Sequence, residues 1–140
     1  MFNPRQAETL SACPDTRFFL GGYSKGAMLV HHSASKFSEA QKQAVLGIAV
    51  FGDPDASPKG VGAFQGLSNS WPMENPVHVS VGLTTLGTMA TPGANVFSAC
   101  QPGDQFCDDG GIQGLPAHLS YPTNGDVILA VTFLAGLVPT

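Results

Sequence analysis

Charged side chains are scarce in this sequence. It has six lysines and arginines and ten aspartates and glutamates, 11% of 140 residues, against about 25% in an average soluble domain. The balance of −4 gives no basic face for a phosphate backbone, so nucleic-acid binding is excluded. Long apolar runs are missing as well. The longest, Val127 to Val138, is interrupted by Thr132 and falls short of the roughly 20 residues a membrane span needs. The start, Met1-Phe2-Asn3-Pro4-Arg5, lacks the basic start, apolar stretch and small-residue cleavage site of a signal peptide. The three cysteines have no further ligands at tight spacing, which argues against zinc at Cys100 and Cys107.

Apolar residues, by contrast, make up 43% of the chain, ample for one core, so disorder is not expected. The 17 glycines and 11 prolines make the domain loop-rich. A length of 140 residues predicts a single domain or part of one. Cys100 and Cys107 close a short loop that holds Gly103 and Asp104. A disulfide there would contribute about 2.5 kcal/mol through loop-closure entropy. Low charge and a disulfide fit an oxidising compartment, hence a secreted protein. Cys13 is then left over, which suggests an absent partner. A secreted style of chain with no signal and one orphan cysteine is expected to have lost its front.

Arg5 to Ser11 reads as the end of a polar helix, stopped by Cys13-Pro14-Asp15. Arg17 to Tyr23 and Val45 to Phe51 are apolar runs between breakers, so buried strands. Between them Ala27 to Phe37 reads as a helix, with Ala27, Val30, Ala34 and Phe37 on one stripe. Ser38 to Gln43 begins another, with Ser38 as N-cap. Continuous strands around a helical stretch predict a parallel βαβ unit covered on both faces. Residues 55 to 95 are weakly patterned, with Val77 to Val81 as a candidate edge strand. Asn95 to Ala99 is a third short strand, Cys100 to Pro116 a loop, and Val127 to Leu137 a closing apolar helix.

Gly22-Tyr23-Ser24-Lys25-Gly26 is a G-x-S-x-G with a strand before it and a helix after it, the setting of a nucleophile elbow. The chain must turn sharply there, leaving Ser24 strained and exposed. Gly22 and Gly26 are expected to give the turn room. The helix start places the Lys25 N–H where an oxyanion forms. A serine nucleophile needs a base, and the base an orienting carboxylate. Asp104 follows the third strand and His118 comes later in Pro116-Ala117-His118-Leu119-Ser120-Tyr121. Ser, Asp, His is the chain order of α/β-hydrolase triads. Asp53 reads as a strand-end turn residue rather than a partner for a histidine. His31 and His32 read as surface or packing residues rather than ligands. His78 has no evident partner, and Trp71-Pro72-Met73 reads as a local packing anchor.

Cys13 to Ala27 (CPDTRFFLGGYSKGA), Val50 to Pro54 (VFGDP), Cys100 to Cys107 (CQPGDQFC) and Ala117 to Tyr121 (AHLSY) resemble the successive landmarks of fungal cutinases. The resemblance runs from Cys13 to the C-terminus. It implies an α/β fold of α/β-hydrolase type, a three-layer α/β/α sandwich on a central parallel sheet. Ser24 would be the nucleophile, Asp104 the acid, His118 the base, the Lys25 N–H an oxyanion-hole donor, and Cys100–Cys107 a disulfide. Cys13 matches a half-cystine whose partner in the family lies near the N-terminus. The family's first strands, and a hydroxyl residue whose N–H completes the oxyanion hole, are expected to be missing. Lys25 stands where the family usually has Gln. Residues 58–90 read as an insertion within a single domain over 1–140: a lid, a loop or translated intron sequence.

The implied activity is hydrolysis of cutin or a similar aliphatic polyester through an acyl-enzyme, by a secreted monomer without metal or organic cofactor. The alternatives are an acetylxylan esterase-like carbohydrate esterase, an inactive truncated remnant of a cutinase, or a small secreted binding module.

Overall fold

The computed structural model describes residues 4–34, 36–56, 76–80, 95–108 and 114–140. Helix α1 (Pro4–Ala12) leads into strand β1 (Phe18–Tyr23), helix α2 (Lys25–Ala34), helix α3 (Glu39–Ala44) and strand β2 (Val45–Phe51). A 3₁₀ turn over Pro54–Ala56, strands β3 (Pro76–Ser80) and β4 (Val96–Cys100), and helices α4 (Leu115–His118) and α5 (Asp126–Ala135) follow. The strands form one sheet in the order β1-β2-β4-β3. Every pairing is parallel, as continuous apolar strands around helices dictate.

Local chemistry explains the boundaries. Ser38 caps α3 by accepting from the Gln41 N–H, while the Gln41 side chain accepts from the Ser38 N–H, a capping box. The apolar run Val45 to Phe51 becomes β2 without a residue to spare. Alternation along β2 sends Ile48 and Val50 to one core, with Ala27, Ala34, Phe37, Val45 and Val96. Ala49 and Phe51 face the other, with Phe97, Ala99, Tyr121 and Ala130. Helix α2 thus covers one face and α5 the other, giving the three layers.

Some expectations are corrected. Helix α2 ends at Ala34, and Phe37 reaches the core from the turn beyond. β1 is not buried on both faces: it alternates between half-buried and exposed, with Phe19 and Tyr23 among the exposed large side chains. β1 lies at one end of the described sheet, so Phe19 and Tyr23 meet less cover than the apolar run implied. The candidate edge strand forms as β3, one residue earlier than read, and pairs with β4. The expected loop 100–116 ends in the short helix α4. Apart from β3, the expected insertion at 58–90, with Trp71 to Met73 and the His78 side chain, lies outside the described residues. None of the described helices is long and apolar enough to cross a membrane.

Candidate active site

Parallel sheets collect functional groups where their strands end, and here three strand ends converge. β1 runs into Ser24, whose φ of 55° is the left-handed conformation that a non-glycine residue rarely adopts. The Ser24 N–H donates to the Phe51 carbonyl at 2.9 Å, and the Ser24 carbonyl accepts from the Met28 N–H at 3.1 Å, so β2 and α2 both hold the turn. Lys25 is the first residue of α2, and its N–H is among the amides that have no partner inside a helix. Of the two flanking glycines only Gly22 is sterically required. A Cβ there would meet the Gly26 carbonyl oxygen at 2.5 Å and the Ala27 nitrogen at 2.6 Å, whereas one on Gly26 would meet nothing within 4 Å.

Beyond β4, the Cys100–Cys107 disulfide forms and the loop inside it carries Asp104, fully buried. Asp104 Oδ1 accepts from the Phe106 N–H at 2.9 Å. Asp104 Oδ2 lies 2.8 Å from His118 Nδ1 and accepts the Tyr121 hydroxyl at 2.6 Å. Two donors on one carboxylate oxygen fix it in place. Burial, then the bond to Asp104, pushes the Tyr121 hydroxyl pKa far up, so it stays a donor.

The His118 ring is packed on several sides. Tyr23 stacks on it at 4.9 Å between centroids, Phe106 lies 4.4 Å away and Tyr121 meets it edge-on at 6.3 Å. The Tyr23 hydroxyl donates to the His118 carbonyl at 2.7 Å. Burial and the nearby Asp104 raise the Tyr23 pKa, which keeps this donor protonated too. Gly52, with φ of +56°, approaches so closely that a Cβ there would meet His118 Cε1 at 2.8 Å. The structure therefore joins Asp104 to His118 and sets Tyr23, the neighbour of Ser24, on the imidazole. Among the described residues no hydrogen bond joins Ser24 to His118, as is common before substrate tightens a site. A carboxylate-held imidazole, with the residue before a strained serine stacked on it, is an arrangement suited to nucleophilic acyl transfer.

The cutinase family model matches residues 4–138. The chain belongs to the cutinase family. Carboxylesterase Culp1 of Mycobacterium tuberculosis is 32% identical over 127 residues, covering 91% of this chain and 50% of that protein. The solved Trichoderma reesei cutinase in complex with a C11Y4 phosphonate inhibitor aligns with a TM-score of 0.60 and 27% identity, over 97% of this chain and 48% of the other. The catalytic core domain of acetyl xylan esterase from Trichoderma reesei aligns with a TM-score of 0.62 at 20% identity, over 94% of this chain and 65% of the other, a likeness of fold. This cutinase-family chain spans about half the length of the Mycobacterium tuberculosis relative.

Two features of this cutinase-family site escaped the sequence reading. Tyr23 and Tyr121 sit inside the quoted motifs, yet nothing local says that one stacks on the histidine and the other holds the carboxylate. Asp53 reads from the sequence as a strand-end turn residue in preference to the partner of a histidine. It is one, accepting the Asp55 N–H at 3.0 Å, but its other oxygen lies 2.9 Å from His31 Nδ1. His31 is accordingly buried, the packing alternative of the two read from the sequence. Cys13 is exposed and free.

Proposed function

We propose that this chain is a serine hydrolase of carboxylic esters. The observation that carries the reading is the buried Asp104–His118 pair at 2.8 Å, with Tyr23 stacked on the imidazole and the next residue, Ser24, held at φ 55°. Ser24 Oγ attacks the ester carbonyl carbon while His118 Nε2 takes its proton. The carbonyl oxygen becomes an oxyanion that the Lys25 N–H stabilises, with the positive end of α2 behind it. The leaving alkoxide takes the proton from His118, and water then cleaves the acyl-enzyme with His118 again as base. Asp104 holds the ring through Nδ1, leaving Nε2 for the reaction. No metal or organic cofactor enters this chemistry.

Cutin or a similar aliphatic polyester is the substrate class this reading favours. An apolar cavity of about 250 Å³ lies against Tyr23, lined also by Phe51, Leu119, Tyr121, Pro122 and Val127. It suits an aliphatic acyl chain better than a carbohydrate. The disulfide supports action outside the cell, where such bonds persist. The test is intact-mass labelling of the purified chain with a fluorophosphonate, beside Ser24→Ala. One adduct, lost in the variant, is expected. A folded chain that takes no label overturns the reading.

A further inference from the structure

A second buried polar cluster begins one residue beyond Gly52. His31 lies in the last turn of α2, Asp53 just past β2 and Asp55 in the 3₁₀ turn, exposed by 2%, 0% and 1%. Their donor atoms all lie within 4.8 Å of one another. Asp53 is accounted for: one oxygen meets His31 Nδ1 at 2.9 Å and the other accepts the Asp55 N–H at 3.0 Å. Asp55 is not. Among the described residues no hydrogen bond reaches its buried Oδ1, while Oδ2 is met from one side by His32 Nε2 at 3.0 Å, from a ring 44% exposed. A buried carboxylate in this state is costly unless a cation or donor meets it.

We propose that His31, Asp53 and Asp55 bind one divalent cation of the zinc class, a structural ion tying the end of α2 to the end of β2. An imidazole with carboxylates suits such a cation. Calcium would call for six to eight oxygens, whereas this cluster offers two carboxylates and an imidazole. Ligands at about 2.1 Å from a tetrahedral zinc ion stand about 3.4 Å apart. A donor pair at the 4.8 Å limit would draw in by about 1.4 Å to share one ion. The ion would act where it matters to the imidazole, because Gly52, which seats His118, is covalently next to Asp53. The function proposed above does not depend on it.

The test is Zn²⁺ titration of the chelator-stripped full chain against a chromogenic chelator, with the melting temperature read in parallel. One equivalent bound and a rise of several degrees are expected in the wild type and in His118→Ala. Both should vanish in Asp55→Asn. Failure of the wild type to bind, or binding that survives Asp55→Asn or disappears in His118→Ala, overturns the proposal. In the first case Asp55 is simply the ion-pair partner of His32. Should Asp55→Asn not fold, Co²⁺ added to the wild type decides: visible bands of a four- or five-coordinate ion, bleached by Zn²⁺, are expected, and their absence overturns the site.

Discussion

The Tyr121 hydroxyl donates at 2.6 Å to Asp104 Oδ2, the same carboxylate oxygen that lies 2.8 Å from His118 Nδ1. The tyrosine thus fixes the group that fixes the imidazole. Tyr121→Phe removes a hydrogen bond to a charged group, a loss of about 1.5–3 kcal/mol. It leaves the imidazole less well aimed for a proton transfer that contributes about 10²–10⁴-fold. Expected is a fall in kcat of about tenfold or more on a soluble ester, with KM little changed. A kcat equal to wild type would refute the positioning role.

The same hydroxyl gives stability a pH dependence. Folding raises its pKa above the ordinary 10.0, so the folded state holds a proton that the unfolded chain releases. The contribution is complete below about pH 10 and declines as pH rises beyond it. Melting temperature should fall above pH 10 in the wild type and fall less steeply in Tyr121→Phe, by thermal melts across that range. Parallel curves for the two proteins would contradict this.

Gly22 and Gly26 look equivalent in the motif, and the structure separates them. A Cβ at Gly22 would press on backbone of the α2 turn at 2.5 and 2.6 Å, atoms that cannot swing aside. Gly22→Ala should destabilise by more than about 3 kcal/mol, as the severe overpacking cases do. Gly26→Ala meets open space on a helix, where alanine is favoured over glycine by up to about 1 kcal/mol, and should be neutral or stabilising. Denaturant midpoints of both variants check the contrast.

These glycines show which layer of the fold is legible in sequence. Strand β2 and the Ser38 cap were readable because an apolar run and a capping box act within a few residues. Asp104 and His118 were readable because the motifs carry them in the order of a known family. The exposed face of β1 was not, since burial depends on what lies against it. Nor was the His31–Asp53 contact, which spans 22 residues and requires α2 and β2 to be placed first. Tyr23 and Tyr121 fall between these cases: the letters were quoted, but a ring stack is a property of three elements together.

Ser24 carries strain that its side chain does not need for folding. A non-glycine residue at φ 55° stores about 1–2 kcal/mol, which glycine would release. Ser24→Gly should raise the melting temperature relative to Ser24→Ala while both abolish fluorophosphonate labelling. This is the expected signature of a residue kept strained for chemistry. A glycine variant no more stable than the alanine variant would remove the strain argument.

The Cys100–Cys107 bond encloses Asp104, so it stabilises the fold and restrains the carboxylate together. Opening the loop frees the unfolded chain by about 2.5 kcal/mol. Asp104 remains tied by Phe106, Tyr121 and His118, so the folded site should survive in weakened form. Cys100→Ser with Cys107→Ser, or reduction of the wild type, should lower the melting temperature by several degrees. Well below the new midpoint, kcat should drop by less than in Tyr121→Phe. If the loss of activity instead exceeds that of Tyr121→Phe while the chain is still folded, the disulfide rather than the tyrosine is the principal restraint on Asp104.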